Sequence, residues 1–220
     1  MLGLFKRCLL LVLLLALTIS CSQDETLFMV ELCTVKEKGD KSLYLLSDDG
    51  NVLFPSSSMD VSTYQSGQRF RVTYIKMEGK TSSEGESIVD IKQMLPVLIK
   101  DVVSGDLFTG SVNDPLWLIY RPWFGGGFLN FEFSFDSGAS TDIQHEVQLI
   151  QDSTVQVGAS RKIFLTFGHN ANGDVSEKSV TALVSFPLTS ISDFGQADSL
   201  IVGVLEGSKR YLYRISVPNR

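Results

Sequence analysis

The chain has 220 residues, with 19 basic and 25 acidic side chains and a net charge of −6, which is room for one large or two small domains. That acidic balance disfavours nucleic acid as a partner, because phosphate-tracking surfaces are basic. Hydrophobic residues make up 44% of the chain, as in an ordinary globular protein, and after the N-terminal run no apolar stretch approaches membrane length.

The N-terminus carries the clearest local signal. Lys6 and Arg7 precede an apolar run of twelve residues, 8–19, which is closed by Ser20-Cys21. A membrane-spanning helix needs about 20 apolar residues, so twelve fit the core of a secretory signal instead. A small residue directly before Cys resembles the lipobox of bacterial lipoproteins. That resemblance makes residues 1–20 a lipoprotein signal peptide and Cys21 the acylated first residue, carrying palmitate-type chains. Thr18 stands where the usual Leu is found, with Leu17 one step back. Ser22-Gln23-Asp24-Glu25 then makes residues 21–26 an acidic tether. It resembles the signal that sends Bacteroidota lipoproteins to the outer face of the outer membrane. From Cys21 onward there are 17 basic and 25 acidic residues, a net charge of −8. With Cys8 removed and Cys21 acylated, Cys33 is the remaining thiol. Alternation along residues 28–35 makes it a small buried apolar residue.

Residues 27–100 read as a first β unit. Lys41–Leu46 and Asn51–Phe54 flank Asp48-Asp49-Gly50, a tight-turn signal for a hairpin. Phe70, Val72 and Tyr74 alternate with Arg69, Arg71 and Thr73, which gives one buried and one wet face. Pro96 breaks a further run and implies an edge or bulge. About five strands suit a small OB-type Greek-key barrel. Helical turns are expected only around 59–64 or 192–199.

Residues 101–110 form an ordered junction, and 111–220 read as a second unit. Leu129, Phe131, Phe133 and Phe135 alternate with Asn130, Glu132, Ser134 and Asp136. Stripes at Ile143–Leu149, Ile163–Phe167, Val180–Phe186, Leu200–Leu205 and Tyr211–Val217 follow. With 116–120 these make about seven short strands, the spacing of an antiparallel β-sandwich. The fold class is therefore all-β, a barrel followed by a sandwich. Trp117 is expected in the sandwich core.

Several segments in order carry a family resemblance: the lipobox, Tyr44-Leu45-Leu46-Ser47-Asp48-Asp49-Gly50-Asn51-Val52-Leu53-Phe54-Pro55, Gly67-Gln68-Arg69-Phe70-Arg71-Val72-Thr73-Tyr74, Gly126-Gly127-Phe128-Leu129-Asn130-Phe131, Phe167-Gly168-His169-Asn170, and Val184-Ser185-Phe186-Pro187-Leu188. Together they resemble the NigD-like lipoproteins of Bacteroidota, across nearly all of the chain after Cys21. The resemblance implies an N-terminal OB domain, a C-terminal β-sandwich and a lipid-anchored place in the outer membrane, on its periplasmic face or the cell surface. The family takes its name from a bacteriocin operon in which an immunity role was proposed. It supplies no catalytic residues.

The residues offer little chemistry of their own. His145 shares a strand face with Ile143 and Val147, as a hydrogen-bonded interior imidazole would. His169 precedes a turn. No zinc-class spacing joins the two histidines to Asp174 or Glu146, and Asn170, Asn172 and Asp174 fit a hairpin turn better than a calcium loop. No G-x-S-x-G, Walker A or dinucleotide motif occurs. Tyr120, Trp123 and Phe124 beside Gly125-Gly126-Gly127 are candidate ligand contacts, since aromatic rings bind at low entropic cost. The expectation is a non-enzymatic envelope lipoprotein with no cofactor and no metal. It would hold the membrane through its anchor and bind a protein or ligand, including in bacteriocin immunity or protection. The alternatives are a surface glycan-binding accessory, or a glycoside hydrolase using carboxylates such as Glu132, Glu146 or Asp142.

Overall fold

The computed structural model describes residues 27–56, 63–81, 87–139 and 142–218. Cys21 and the segment expected to be a signal peptide lie outside the described residues. The first five strands are β1 (Met29–Glu37), β2 (Leu43–Ser47), β3 (Val52–Pro55), β4 (Arg69–Thr81) and β5 (Ser87–Pro96). They close into a barrel in the order β1-β2-β3-β5-β4. Every ladder is antiparallel except β3 with β5. This is the five-stranded Greek-key barrel of the OB type. Gly50, at φ +85°, turns β2 into β3 as the Asp-Asp-Gly signal predicts. Pro96 ends β5, where its missing N–H removes no inner ladder bond.

Cys33, Leu53, Val72, Tyr74 and Val89 fill the barrel and are fully buried. Burial pushes the Cys33 thiol up to about 12, with the carboxylates of Glu31 and Asp48 adding to the effect and Arg69 opposing it. Such a thiol stays protonated and inert.

Ten further strands build two sheets: β6 (Leu98–Ile99), β7 (Val103–Ser104), β8 (Trp117–Leu118), β9 (Trp123–Gly125), β10 (Phe128–Ser137), β11 (Glu146–Val157), β12 (Ser160–Asn170), β13 (Lys178–Pro187), β14 (Ser199–Glu206) and β15 (Lys209–Ser216). One sheet runs β6-β13-β10-β8, with β9 also on β10, and the other runs β15-β14-β12-β11-β7. Residues 97–104 leave the barrel and supply one short strand to each sheet. The long ladders are mostly antiparallel. β12 and β14 are parallel, because the chain crosses to the opposite sheet as β13 before it returns. A short 3-10 turn, Phe194–Gln196, marks the crossover.

The alternating phenylalanines face inward as their period dictates. Phe131 stacks on Phe167 at 4.1 Å between ring centroids and meets Phe186 edge-on at 5.7 Å. Leu116, rather than Trp117, enters the core: Leu116 is 1% exposed and Trp117 is 38% exposed. A one-residue difference in strand phase exchanges the two faces. Truncating Phe131 to Ala leaves a void among these rings, and urea unfolding should report a loss of about 3–5 kcal/mol.

Candidate functional site at the barrel–sandwich seam

Asn130 and Glu132 belong to the strand face that alternation assigns to water, yet they are 0% and 7% exposed. The same is true of Arg69 on the barrel, at 2%. The reason is that the polar face of β10 and β13 packs against the barrel at β4. Two faces of correct polarity cover each other, and their polar groups have to be satisfied there.

Arg69 does most of this. Its Nε donates to Ser185 Oγ at 2.9 Å and its Nη1 to Thr34 Oγ1 at 3.1 Å. Its Nη2 donates to Asp48 Oδ2 at 2.6 Å and to Asn130 Oδ1 at 3.1 Å. The guanidinium carbon lies 4.4 Å from the centroid of Phe128. Ser185 in turn donates to Asn130 Oδ1 at 2.7 Å, and Asn130 Nδ2 donates to the Trp123 carbonyl at 3.4 Å. Barrel residues Thr34 and Asp48 and sandwich residues Asn130 and Ser185 therefore share one cation. The planar five-donor fork makes Arg the residue suited to this role. Beside it, Arg71 Nη2 meets Glu132 Oε1 at 3.0 Å, with Arg71 partly open to solvent.

Asp48 reaches the seam from the β2–β3 turn. Its carboxylate sits on the backbone of Gly125 and Gly126, where a Cβ on either glycine would strike it. The glycine-rich stretch is thus a seat for the barrel's counter-ion. Gly126 also needs its left-handed φ of +58°.

The candidate aromatic residues divide among different surroundings. Phe124 packs against the sandwich core and lies edge-on to Phe194 at 5.7 Å. Trp123, its neighbour along β9, is half-buried and points to the opposite face. Tyr120 is 62% exposed. Of the carboxylates considered for hydrolysis, Glu132 is engaged by Arg71, while Asp142 and Glu146 are exposed in and beside the loop that opens β11.

Two open cavities flank the seam, both walled by Pro96, Val97 and Leu98. One, of about 300 Å³, adds Leu95, Leu183 and the Arg71–Glu132 pair. The other, of about 480 Å³, adds Phe70 and Ile99. β6 pairs with β13 only at Val184 and Ser185. Among the described residues no strand pairs with that edge of β13 over residues 178–183. Leu95 and Leu98 stand exposed beside it. The chemistry on offer is apolar contact plus unpaired main-chain groups, which suits binding.

Far along β10 from the seam, a second polar cluster joins His145, His169 and Asp174. His145 Nδ1 is 2.9 Å from His169 Nε2, and His145 Nε2 is 2.9 Å from Asp174 Oδ2. Asp174 is held down at about 2, first by His145 and then by the Gly138 N–H. Burial lowers the His169 pKa. Among the described residues no group of His, Cys, Asp or Glu is arranged to hold a metal ion.

Residues 105–210 match the model of the NigD-like C-terminal beta sandwich domain. Among solved structures, a protein of unknown function from Bacteroides vulgatus ATCC 8482 has a TM-score of 0.72 at 18% identity, covering 88% of this chain and 92% of that one. A protein from Parabacteroides distasonis ATCC 8503, provisionally named toxin-related, has a TM-score of 0.68 at 25% identity, covering 86% and 93%. A NigD-like immunity protein from Bacteroides caccae ATCC 43185 has a TM-score of 0.59 at 18% identity, covering 86% and 92%. The likenesses at 18% identity show a shared two-part fold. No curated protein matches the sequence.

The seat for Asp48 is testable. Gly125→Ala forces the carboxylate off the backbone and loosens its pairing with Arg69, so denaturant unfolding should show a loss of about 1–3 kcal/mol. Gly127→Ala is the control for backbone strain alone, since a Cβ at Gly127 meets nothing within 4 Å.

Proposed function

Taking as premise that the chain belongs to the NigD-like family through its β-sandwich at residues 105–210, we propose that it is a non-enzymatic, lipid-anchored binding protein of the bacterial cell envelope. In this reading Cys21 is acylated, and the protein binds an extended peptide segment in a protective role against bacteriocins. The observation that carries the reading is the apolar cleft of Leu95, Leu98 and Leu183 beside the open edge of β13. An added strand gains main-chain hydrogen bonds from such an edge and specificity from the side-chain pockets next to it. The cleft's carboxylate, Glu132, is held by Arg71 at 3.0 Å, and most of the remaining wall is apolar.

The anchor would suit such a site. β1 starts at Met29 and runs toward the seam, which it meets at Thr34. A tether entering there would place the barrel next to the membrane and direct the sandwich outward. Two acyl chains would hold it stably, each buried methylene contributing about 0.8 kcal/mol.

The test is protection of sensitive cells against a bacteriocin panel. Cells expressing the wild-type chain should survive at least one member better than cells without it. Leu98→Asp, a change at an exposed position, should reduce that protection about tenfold or more. Cys21→Ser should release the protein from the membrane fraction and also abolish protection. Sensitivity unchanged by the wild-type chain, or protection retained by both variants, would contradict the reading.

A further inference from the structure

The cluster at His145, His169 and Asp174 has more hydrogen bonds than two neutral imidazoles can make. Its contacts form a single line. The Pro115 carbonyl faces His169 Nδ1 at 3.3 Å, the two rings meet at 2.9 Å, and His145 Nε2 faces Asp174 Oδ2 at 2.9 Å. The ends of the line are a carbonyl and a carboxylate. Asp174 already accepts the Gly138 N–H at 2.7 Å through Oδ2 and the Val175 N–H at 2.9 Å through Oδ1, as an ionised carboxylate does. Each of the three contacts along the line therefore needs a hydrogen on a ring nitrogen. Two neutral imidazoles carry only two.

We propose that the His145–His169 pair holds a third proton, which makes it a singly charged unit ion-paired to Asp174, and that this proton acts as a pH-sensitive latch on the loop end of the sandwich. His169 is 1% exposed, and burial disfavours charge on its ring, so the extra proton belongs to His145, the ring that touches the carboxylate. Phe135 flanks both rings, at 4.7 and 4.9 Å between centroids, and keeps that face dry. The surrounding elements carry mainly acids. Asp114, which accepts the Ala171 N–H at 2.7 Å, lies on the segment beside His169. Asp142 and Glu146 flank His145 in sequence, Asp136 ends β10, and Glu177 and Lys178 open β13.

The latch ties three pieces of chain together: the end of β10 at Ser137-Gly138, the loop before β11 at His145, and the β12–β13 turn at Asp174. The signs at its two limits differ. The third proton is present at low pH and is lost as pH rises, and one contact in the line then has no hydrogen. Asp174, depressed to about 2 from an ordinary 3.8, contributes stability above 3.8 that fades as pH falls toward 2. The latch is closed between these limits.

The chain contains two histidines, so their imidazole nitrogens can be assigned without ambiguity in the 15N-labelled full-length protein. Long-range 1H–15N spectra near pH 6 should show three protonated ring nitrogens and one bare one. Raising the pH should remove one proton, with amide protection at Gly138 and Val175 falling about tenfold after correction for intrinsic exchange. Asp174→Asn should lose the third proton at a lower pH than the parent. Two protonated nitrogens in the wild-type chain at every pH between 5 and 9 would overturn the proposal, whether or not that variant folds.

Discussion

The seam between barrel and sandwich is organised around one buried guanidinium, with the Arg71–Glu132 pair beside it. Arg69 is the first residue of β4, yet its partners lie on β1, the β2–β3 turn, β10 and β13. A charge removed from water is costly unless its donors are satisfied and a counter-ion stands close, and here Asp48 supplies the counter-charge at 2.6 Å. A neutral side chain of similar size could fill the space. It could not demand that Thr34, Asp48, Asn130 and Ser185 all arrive together. The ionic arrangement ties four residues of the two parts to one point, and the two cavities open beside that point.

Placing a site at such a seam separates stability from recognition. The sandwich core of stacked phenylalanines and the barrel core around Tyr74 each hold their own unit. The seam between them is polar, and its edges leave Leu95 and Leu98 uncovered. The His145–Asp174 cluster lies at the far end of the same strand, β10, so one strand connects the cleft to the loop end.

The two β units, their order and their inward stripes were legible in the sequence, because a period of two names the buried face of each strand. What covers the other face leaves no such trace. Arg69, Arg71, Asn130 and Glu132 alternate as solvent-facing residues should, and only the docking of a second domain shows that their solvent is another protein surface. Asp48 was legible as a turn residue and Gly125-Gly126 as a flexible stretch. That one seats the other depends on a contact 77 positions apart in sequence. The histidine line was equally hidden, since it rests on the register that sets Val147 opposite His169. Trp117 illustrates the smaller kind of miss, a strand whose phase starts one residue earlier than the pattern suggests.

The most direct test removes the cation itself. Unfolding of the wild-type chain should be a single transition, with calorimetry coinciding with the fluorescence of Trp117 and Trp123 in the sandwich. In Arg69→Ala, the Asp48 carboxylate, only 14% exposed, is left without its partner, which should cost about 3–5 kcal/mol. The barrel and the sandwich should then melt separately. A variant that still unfolds in one transition at the wild-type midpoint would contradict the account.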